Sequence, residues 1–127
     1  MENYDPNHAI DSQDWLALNE QERQQLVEDY HNTLNLSLER GALKMHCMLH
    51  VVVENQLAES EYPILRQTLA KLIRQGLNRH EAIHAISSIL SNGLFEAMQG
   101  SDSEFSIKKY RGKLEKITAK RWLKGLT

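Results

Sequence analysis

Two pairs of histidines could do chemistry in this chain, because both pairs have the same four-residue spacing. His46 and His50 form the first pair, and His80 and His84 form the second, written as His-Glu-x-x-His. Four residues are slightly more than one helical turn, so each pair projects its imidazoles from one helix face, where both can bind one metal ion. The only cysteine is Cys47, so a metal would have to be bound by histidine and carboxylate.

The first pair lies on a stripe that is predicted to face inward. At 100° per residue, His46, His50 and Glu54 share one narrow strip of a helix, flanked by leucine and valine. Buried imidazoles and carboxylates are costly unless they form hydrogen bonds or bind an ion. The pattern therefore predicts either a metal site or a buried hydrogen-bond network that holds no ion.

The second pair, His80 and His84, lies in line with Ser87 and Ser91 beside an Ile/Leu face. If the two stripes face each other, three or four nitrogen and oxygen ligands converge inside a helical bundle, and zinc, iron or manganese would fit. The candidate ligands are His46, His50, Glu54, His80 and His84, with His31 as a further one.

A sharper hypothesis assigns roles to these residues. In it, His46, His50 and His84 bind the metal, Glu54 binds it or acts as a base, and an open coordination position permits a hydrolytic or other metal-assisted reaction. Whether the protein is an enzyme stays open at this point.

The His-Glu-x-x-His string is also the motif of metalloproteases, in which the glutamate activates a water molecule. Here the string begins in the first turn of its predicted helix, where Glu81 and Asn78 have the spacing of a capping box. A helix N-terminus is also unfavourable for a cation. The sequence therefore favours Glu54 over Glu81 as a catalytic carboxylate, and it argues against a protease.

The elements that must position these residues are helices, because apolar residues recur at intervals of three and four. An irregular arm, 1–18, is expected to pack Trp15, Leu16 and Leu18 onto the body. Four helices follow, predicted at about 19–34, 42–58, 63–75 and 79–99, and the second of them is apolar on nearly every side. A flexible break at 100–103 separates them from a basic amphipathic helix at about 104–124.

With 127 residues, the chain has the length of one domain. The sequence thus predicts an all-α, single-domain bundle: an N-terminal arm (1–18), a bundle of four main helices (19–100), and a basic C-terminal helix (104–124) packed on the bundle.

Three features together resemble a family of small bacterial helical proteins catalogued as a domain of unknown function. They are Tyr30-His31, His46-x-x-x-His50 with Gln56 six residues later, and His80-Glu81-x-x-His84. The resemblance covers about residues 28–98, and it implies an all-helical domain with a site built from His31 and the two pairs. In the family pattern an acidic residue directly precedes the glutamine, whereas here Asn55 does and Glu54 lies one place earlier.

Charge is distributed unevenly along the chain. Residues 1–40 contain nine Asp/Glu and two Lys/Arg, whereas 108–124 contain eight Lys/Arg and only Glu115. We expect these segments to neutralise each other within the fold, although a basic helix could instead bind an acidic protein partner. The alternative to a metal protein is therefore a non-enzymatic adaptor or regulatory protein whose buried histidines are structural.

Composition narrows the remaining partners and the compartment. Net charge is −2 and no nucleic-acid-binding signature is present, so nucleic acid is not the expected partner. No apolar run reaches the roughly 20 residues that span a bilayer, and the first residues are polar and acidic, so we expect a cytoplasmic protein. The apolar second helix could be covered by its own domain or by a second copy in a homodimer.

Overall fold

The computed structural model describes residues 1–34, 39–59, 61–99 and 105–125. Within these ranges the protein is all-α, as predicted, with seven helices and no strand. No helix in the described ranges is both long and apolar enough to cross a membrane. The helices are α1 (Ser12–Leu16), α2 (Glu20–Asn32), α3 (Arg40–Ala58), α4 (Pro63–Arg74), α5 (Arg79–Gln99), α6 (Ile107–Lys116) and α7 (Ala119–Leu123).

The helix starts follow local capping chemistry. Asn19 and Glu22 form the predicted capping box of α2, with each side chain accepting from the backbone N–H of the other. Pro63 occupies the first turn of α4. Backbone N–H groups in a first turn have no partner within the helix, so the N–H that proline lacks is not needed there. Asn78 accepts from the backbone N–H of Glu81 at the start of α5. These signals start three of the four main helices, α2, α4 and α5, close to their predicted bounds.

Helix α3 lies between two hydrophobic clusters and therefore forms the centre of the fold. It packs against α1 and α2 on one side and against α4 and α5 on the other. Val53 and Leu57 belong to the larger cluster, which also contains the inward faces of α4, α5 and α6. Cys47 and Val51 belong to the smaller cluster, together with Trp15. Both histidines of the first pair thus lie on a helix held from two sides.

One side of α3 is exposed in the single chain, whereas the sequence led us to expect this helix at the buried centre, covered by its own domain or partly by a second copy. Met45 has 55% of its surface exposed, Met48 48% and Val52 39%. These positions follow the i, i+3, i+7 spacing of a single helix face, and the neighbouring helices pack elsewhere on α3.

The N-terminal arm is not irregular throughout. Asp11 accepts from two backbone N–H groups and so starts the short helix α1. Trp15 is fully buried and donates to the side-chain oxygen of Asn55 on α3, as an indole N–H inside a protein requires. Leu18 packs against the smaller cluster as predicted, but Leu16 is 40% exposed, so its predicted packing is wrong.

The basic C-terminal segment is two helices rather than one. Helix α6 ends at Lys116, Ile117 is extended, and Thr118 accepts from the backbone N–H of Arg121 to start α7. Ile117 is only 1% exposed, so burying its side chain fixes the position of the break. The predicted start at Glu104 and the predicted flexible break at 100–103 lie outside the described residues.

Helix α6 packs on α4 and α5, away from the acidic N-terminal segment. Lys71 of α4 donates to the backbone oxygen of Glu115, and Thr68 donates to that of Leu114. Among the described residues, no ion pair joins 1–40 to 108–124. The acidic and basic segments therefore do not neutralise each other through direct ion pairs within those ranges.

Candidate metal centre

Four histidines from three helices converge inside the bundle. They are His31 of α2, His50 of α3, and His80 and His84 of α5. One imidazole nitrogen from each lies within 4.8 Å of the corresponding atom of every other. His31 and His50 are fully buried, and the two α5 histidines are half-buried.

The two predicted stripes do face each other, and His46 takes part at their edge. Its Nε2 lies 3.1 Å from Nε2 of His84, which links α3 to α5 directly. His46 is outside the group of four whose nitrogens are mutually close. His31, predicted only as a further ligand, is in contrast central, because its ring centroid lies between 4.9 and 5.9 Å from those of the other four imidazoles.

The proton positions on His31 follow from its hydrogen bonds. Its Nδ1 lies 2.8 Å from the backbone oxygen of Val27, and a carbonyl oxygen can only accept. The proton is therefore on Nδ1, and Nε2 carries a lone pair. That Nε2 lies 3.3 Å from Nε2 of His80. A backbone carbonyl that fixes the tautomer of an imidazole in this way is typical of the outer shell of metal sites.

Similar reasoning assigns the tautomer of His50. The hydroxyl of Tyr4 lies between Nε2 of His50 and a carboxylate oxygen of Glu54. Glu54 is paired with the guanidinium of Arg79, so the carboxylate accepts and Tyr4 donates to it. The hydroxyl oxygen of Tyr4 then accepts from Nε2–H of His50. Nδ1 of His50 consequently keeps a lone pair, and this buried atom has no hydrogen-bond partner within the described ranges.

The structure does not bring Glu54 into the histidine cluster. Its carboxylate is 2% exposed and accepts two hydrogen bonds from Arg79, at 2.8 and 2.9 Å, besides the one from Tyr4. Arg79 also donates to the backbone oxygen of Pro6 in the arm. Glu54 therefore lies behind His50, where it orients the imidazole through Tyr4.

Glu81, the glutamate of the His-Glu-x-x-His string, points to another partner. Its carboxylate accepts from the indole N–H of Trp122 on α7 at 2.6 Å, while its backbone N–H bonds to the Asn78 cap. The side chain is thus held by the indole. Glu81 and Trp122 thus join α5 to α7.

Burial keeps these imidazoles neutral at pH 7. Desolvation is the largest cause in each case, and it lowers the pKa of His80 to about 4 and that of His84 to about 3. The pKa values of His31, His46 and His50 are also lowered, mainly by burial. A metal ion needs the neutral form of imidazole, so no proton has to leave before these groups can bind it.

Some of the distances between the imidazole nitrogens already suit a tetrahedral ion, and others are too long. Two imidazole nitrogens bound to zinc at 2.0–2.1 Å in a tetrahedron lie roughly 3.3 Å apart. Nε2 of His31 and Nε2 of His80 already have this separation, 3.3 Å. The widest pairs, at up to 4.8 Å, would have to contract when an ion binds. The donor set and the unpartnered Nδ1 of His50 both fit a metal centre.

Residues 17–116 match the family model described as a domain of unknown function, DUF1841. The chain belongs to the DUF1841 family. The match extends beyond the residues 28–98 that carry the resemblance in sequence, and it confirms that resemblance at the level of the family. No curated protein and no solved structure matches this chain.

In this DUF1841 domain a surface groove leads to the edge of the cluster. Its volume is about 290 Å³, and His46 and His84 are among the residues that line it. Ser87, a buried residue of the α5 stripe, lines the groove, and its hydroxyl has no hydrogen-bond partner in the described part of the chain. The remaining lining residues are Leu49, Ser88, Ser91, Asn92 and Trp122.

Two residues of the site, Tyr4 and Arg79, were not predicted from sequence. Arg79 could have been found, because a buried Glu54 requires a cationic or hydrogen-bonding partner and Arg79 immediately precedes His80. Tyr4 carries no such signal, since it lies 46 positions from His50 in a segment with no periodic pattern. The predicted family glutamine, Gln56, lies outside the cluster and accepts from the hydroxyl of Tyr110.

Proposed function

We propose that this protein binds one divalent metal ion through His31, His50, His80 and His84. The observation that carries the proposal is the convergence of four neutral imidazoles, two of them fully buried, on one point between α2, α3 and α5. A hydrogen-bond network alone would leave Nδ1 of His50 without a partner, which is costly for a buried polar atom. A bound ion accepts that lone pair.

Zinc is the best candidate ion, with iron second. Imidazole ligands suit zinc and iron, whereas manganese prefers carboxylate and water. The carboxylate nearest the cluster in the buried core, Glu54, is already engaged by Arg79 and Tyr4. The site thus offers nitrogen donors, and manganese becomes the least suitable of the three metals considered from sequence.

The chain's own residues prepare the donors. Val27 fixes the tautomer of His31, and Tyr4, held by Glu54, fixes that of His50. His46 lines the groove beside His84, where it can accept or donate a proton at Nε2. Bound zinc would supply a Lewis acid at this position.

Metal analysis of untagged protein, purified without chelators or a metal-affinity column, tests the proposal. We expect close to one zinc or iron per chain, and at least a tenfold lower content in the His50→Ala/His84→Ala double variant. His8→Ala is the matched control, because His8 is exposed and lies outside the cluster. Equal metal content in the double variant and the wild type, or none in correctly folded wild type after incubation with zinc, would overturn the proposal.

A further inference from the structure

The charges around the cluster do not balance a divalent ion. Four imidazoles are neutral ligands, so an ion bound there keeps both of its positive charges. Glu54 cannot compensate them, because its charge is paired with that of Arg79. Two other carboxylates lie near the cluster, and both are directed to other groups. Asp5 is exposed and bonded to His8 and to the backbone N–H of Asn7, and Glu81 accepts from the indole N–H of Trp122. An uncompensated charge in a buried site is costly, so the site favours an additional anionic ligand.

The groove provides a place for such an anion. It is lined by His46 of α3 and by His84 and Ser87 of α5; Ser87 follows His84 by three residues and therefore lies on the same helix face. The hydroxyl of Ser87 is buried and without a partner in the ranges described, so it can donate a hydrogen bond that nothing else there uses. Leu49 and Trp122 supply apolar surface beside it.

We infer that the groove between α3 and α5 binds a small carboxylate, with its anionic group toward His84 and Ser87. The inference rests on the proposed metal centre, because the ion supplies the charge that the carboxylate balances. The groove volume of about 290 Å³ exceeds what one water molecule needs by many times, so a small carboxylate fits in it. The carbon skeleton of the carboxylate lies along Leu49 and Trp122.

Cobalt-substituted protein allows the test, because the visible spectrum of cobalt(II) reports changes in its ligands. Wild-type protein loaded with cobalt is titrated with acetate and with benzoate, and azide serves as a small anion that needs no groove. We expect saturable spectral changes with all three anions. Ser87→Ala should weaken acetate binding about tenfold, since it removes one hydrogen bond to a charged group.

Two further variants complete the design. Ser91→Leu narrows the groove and should weaken benzoate more than azide, because Ser91 lines the groove away from the two histidines. Ser12→Ala is the matched control, since Ser12 lies on α1 and lines a different cavity. Alanine is a better helix former than serine, so Ser87→Ala is expected to fold.

The outcomes separate the two proposals. Stoichiometric cobalt whose spectrum responds to none of the three anions would overturn this inference and leave the metal centre standing. Equal carboxylate affinity in wild type, Ser87→Ala and Ser91→Leu would overturn the assignment of the groove. Folded protein that binds no cobalt and no zinc would overturn both proposals.

Discussion

A single hydroxyl connects the histidine cluster to the buried ion pair behind it. Tyr4 donates to Glu54 and accepts from His50, while Glu54 is held by Arg79. Each of these groups would be costly to bury alone, and together they satisfy one another. The geometry of His50 therefore depends on a residue of the N-terminal arm.

Replacing Tyr4 with Phe tests this dependence. The ring and its packing remain, but Nε2 of His50 loses its hydrogen-bond partner. Glu54 loses one of its hydrogen bonds. We expect the free energy of unfolding to fall by about 1–3 kcal/mol and zinc affinity to fall about 10- to 100-fold. Chemical denaturation and a competition titration with a zinc chelator measure the two effects.

Tyr62→Phe is the control for this prediction, because Tyr62 is 38% exposed. It should change neither quantity. If Tyr4→Phe binds zinc as tightly as Tyr62→Phe, the hydroxyl does not orient His50 for metal binding.

Among the residues of the site, the sequence predicts those whose spacing along the chain places them on one helix face. The pairs His46/His50 and His80/His84 are visible because four-residue spacing places side chains on one helix face. The contact of Tyr4 depends on how the arm crosses α3, which no local pattern encodes. The same limit explains why the central position of His31 was underestimated: its place depends on how α2 packs against α3.

Most helix boundaries were predictable, since caps and helix-starting residues act locally. Asn19, Pro63 and Asn78 each mark a start that the structure confirms. The division of the C-terminal segment was missed, because the extended backbone at Ile117 follows from the burial of its side chain, a tertiary effect. Gly93 lies inside α5, as the predicted helix 79–99 requires, and the ring of Phe105 lies against it.

Two glycines inside helices should respond oppositely to alanine. A Cβ at Gly93 would lie 2.6 Å from Cε2 of Phe105, whereas one at Gly112 of α6 would meet nothing within 4 Å. Gly112→Ala should raise the free energy of unfolding by about 1 kcal/mol through helix propensity alone. Gly93→Ala gains the same helix propensity, but its methyl group must displace the ring of Phe105. This variant should therefore be less stable than Gly112→Ala by about 1–3 kcal/mol.

Urea denaturation of the two variants beside wild type measures this difference. Equal stabilisation by both substitutions would show that Phe105 does not need the space at Gly93.

At the scale of the whole molecule, a buried cluster of neutral imidazoles makes metal-free protein sensitive to acid. In the unfolded chain histidine has a pKa near 6.5, whereas in the folded protein the pKa is about 4 for His80 and about 3 for His84. At a pH between about 6.5 and these lower pKa values, the unfolded chain binds protons that the folded protein does not. Stability present above pH 6.5 is therefore lost progressively as the pH falls toward 4.

Urea denaturation of metal-free protein at pH 7.5 and at pH 5 should show this loss. The His80→Gln/His84→Gln double variant, which removes two of the shifted groups, should lose less stability over the same range. An equal loss in both proteins would mean that the cluster does not govern the acid response.

The fold class was predictable because hydrophobic periodicity acts along whole helices, whereas the sequence offered the facing of α3 and α5 only as a condition for a site. Which helix supplies the remaining histidine, and that Glu54 lies behind the cluster, depend on the packing of α2 and the arm onto α3. Periodicity defines the faces of helices but not the order in which the helices pack.

Cys47 lies beside His46 in sequence, yet it belongs to the smaller hydrophobic cluster with Trp15 and Val27. Burial, with a contribution from Glu28, raises the pKa of its thiol to about 11. Oxidants attack the thiolate form of cysteine, so the thiol of Cys47 is protected from oxidation. The histidine cluster contains no sulfur. Peroxide strips zinc from thiolate sites by oxidising the sulfur, so zinc bound at the proposed imidazole centre would resist release by peroxide.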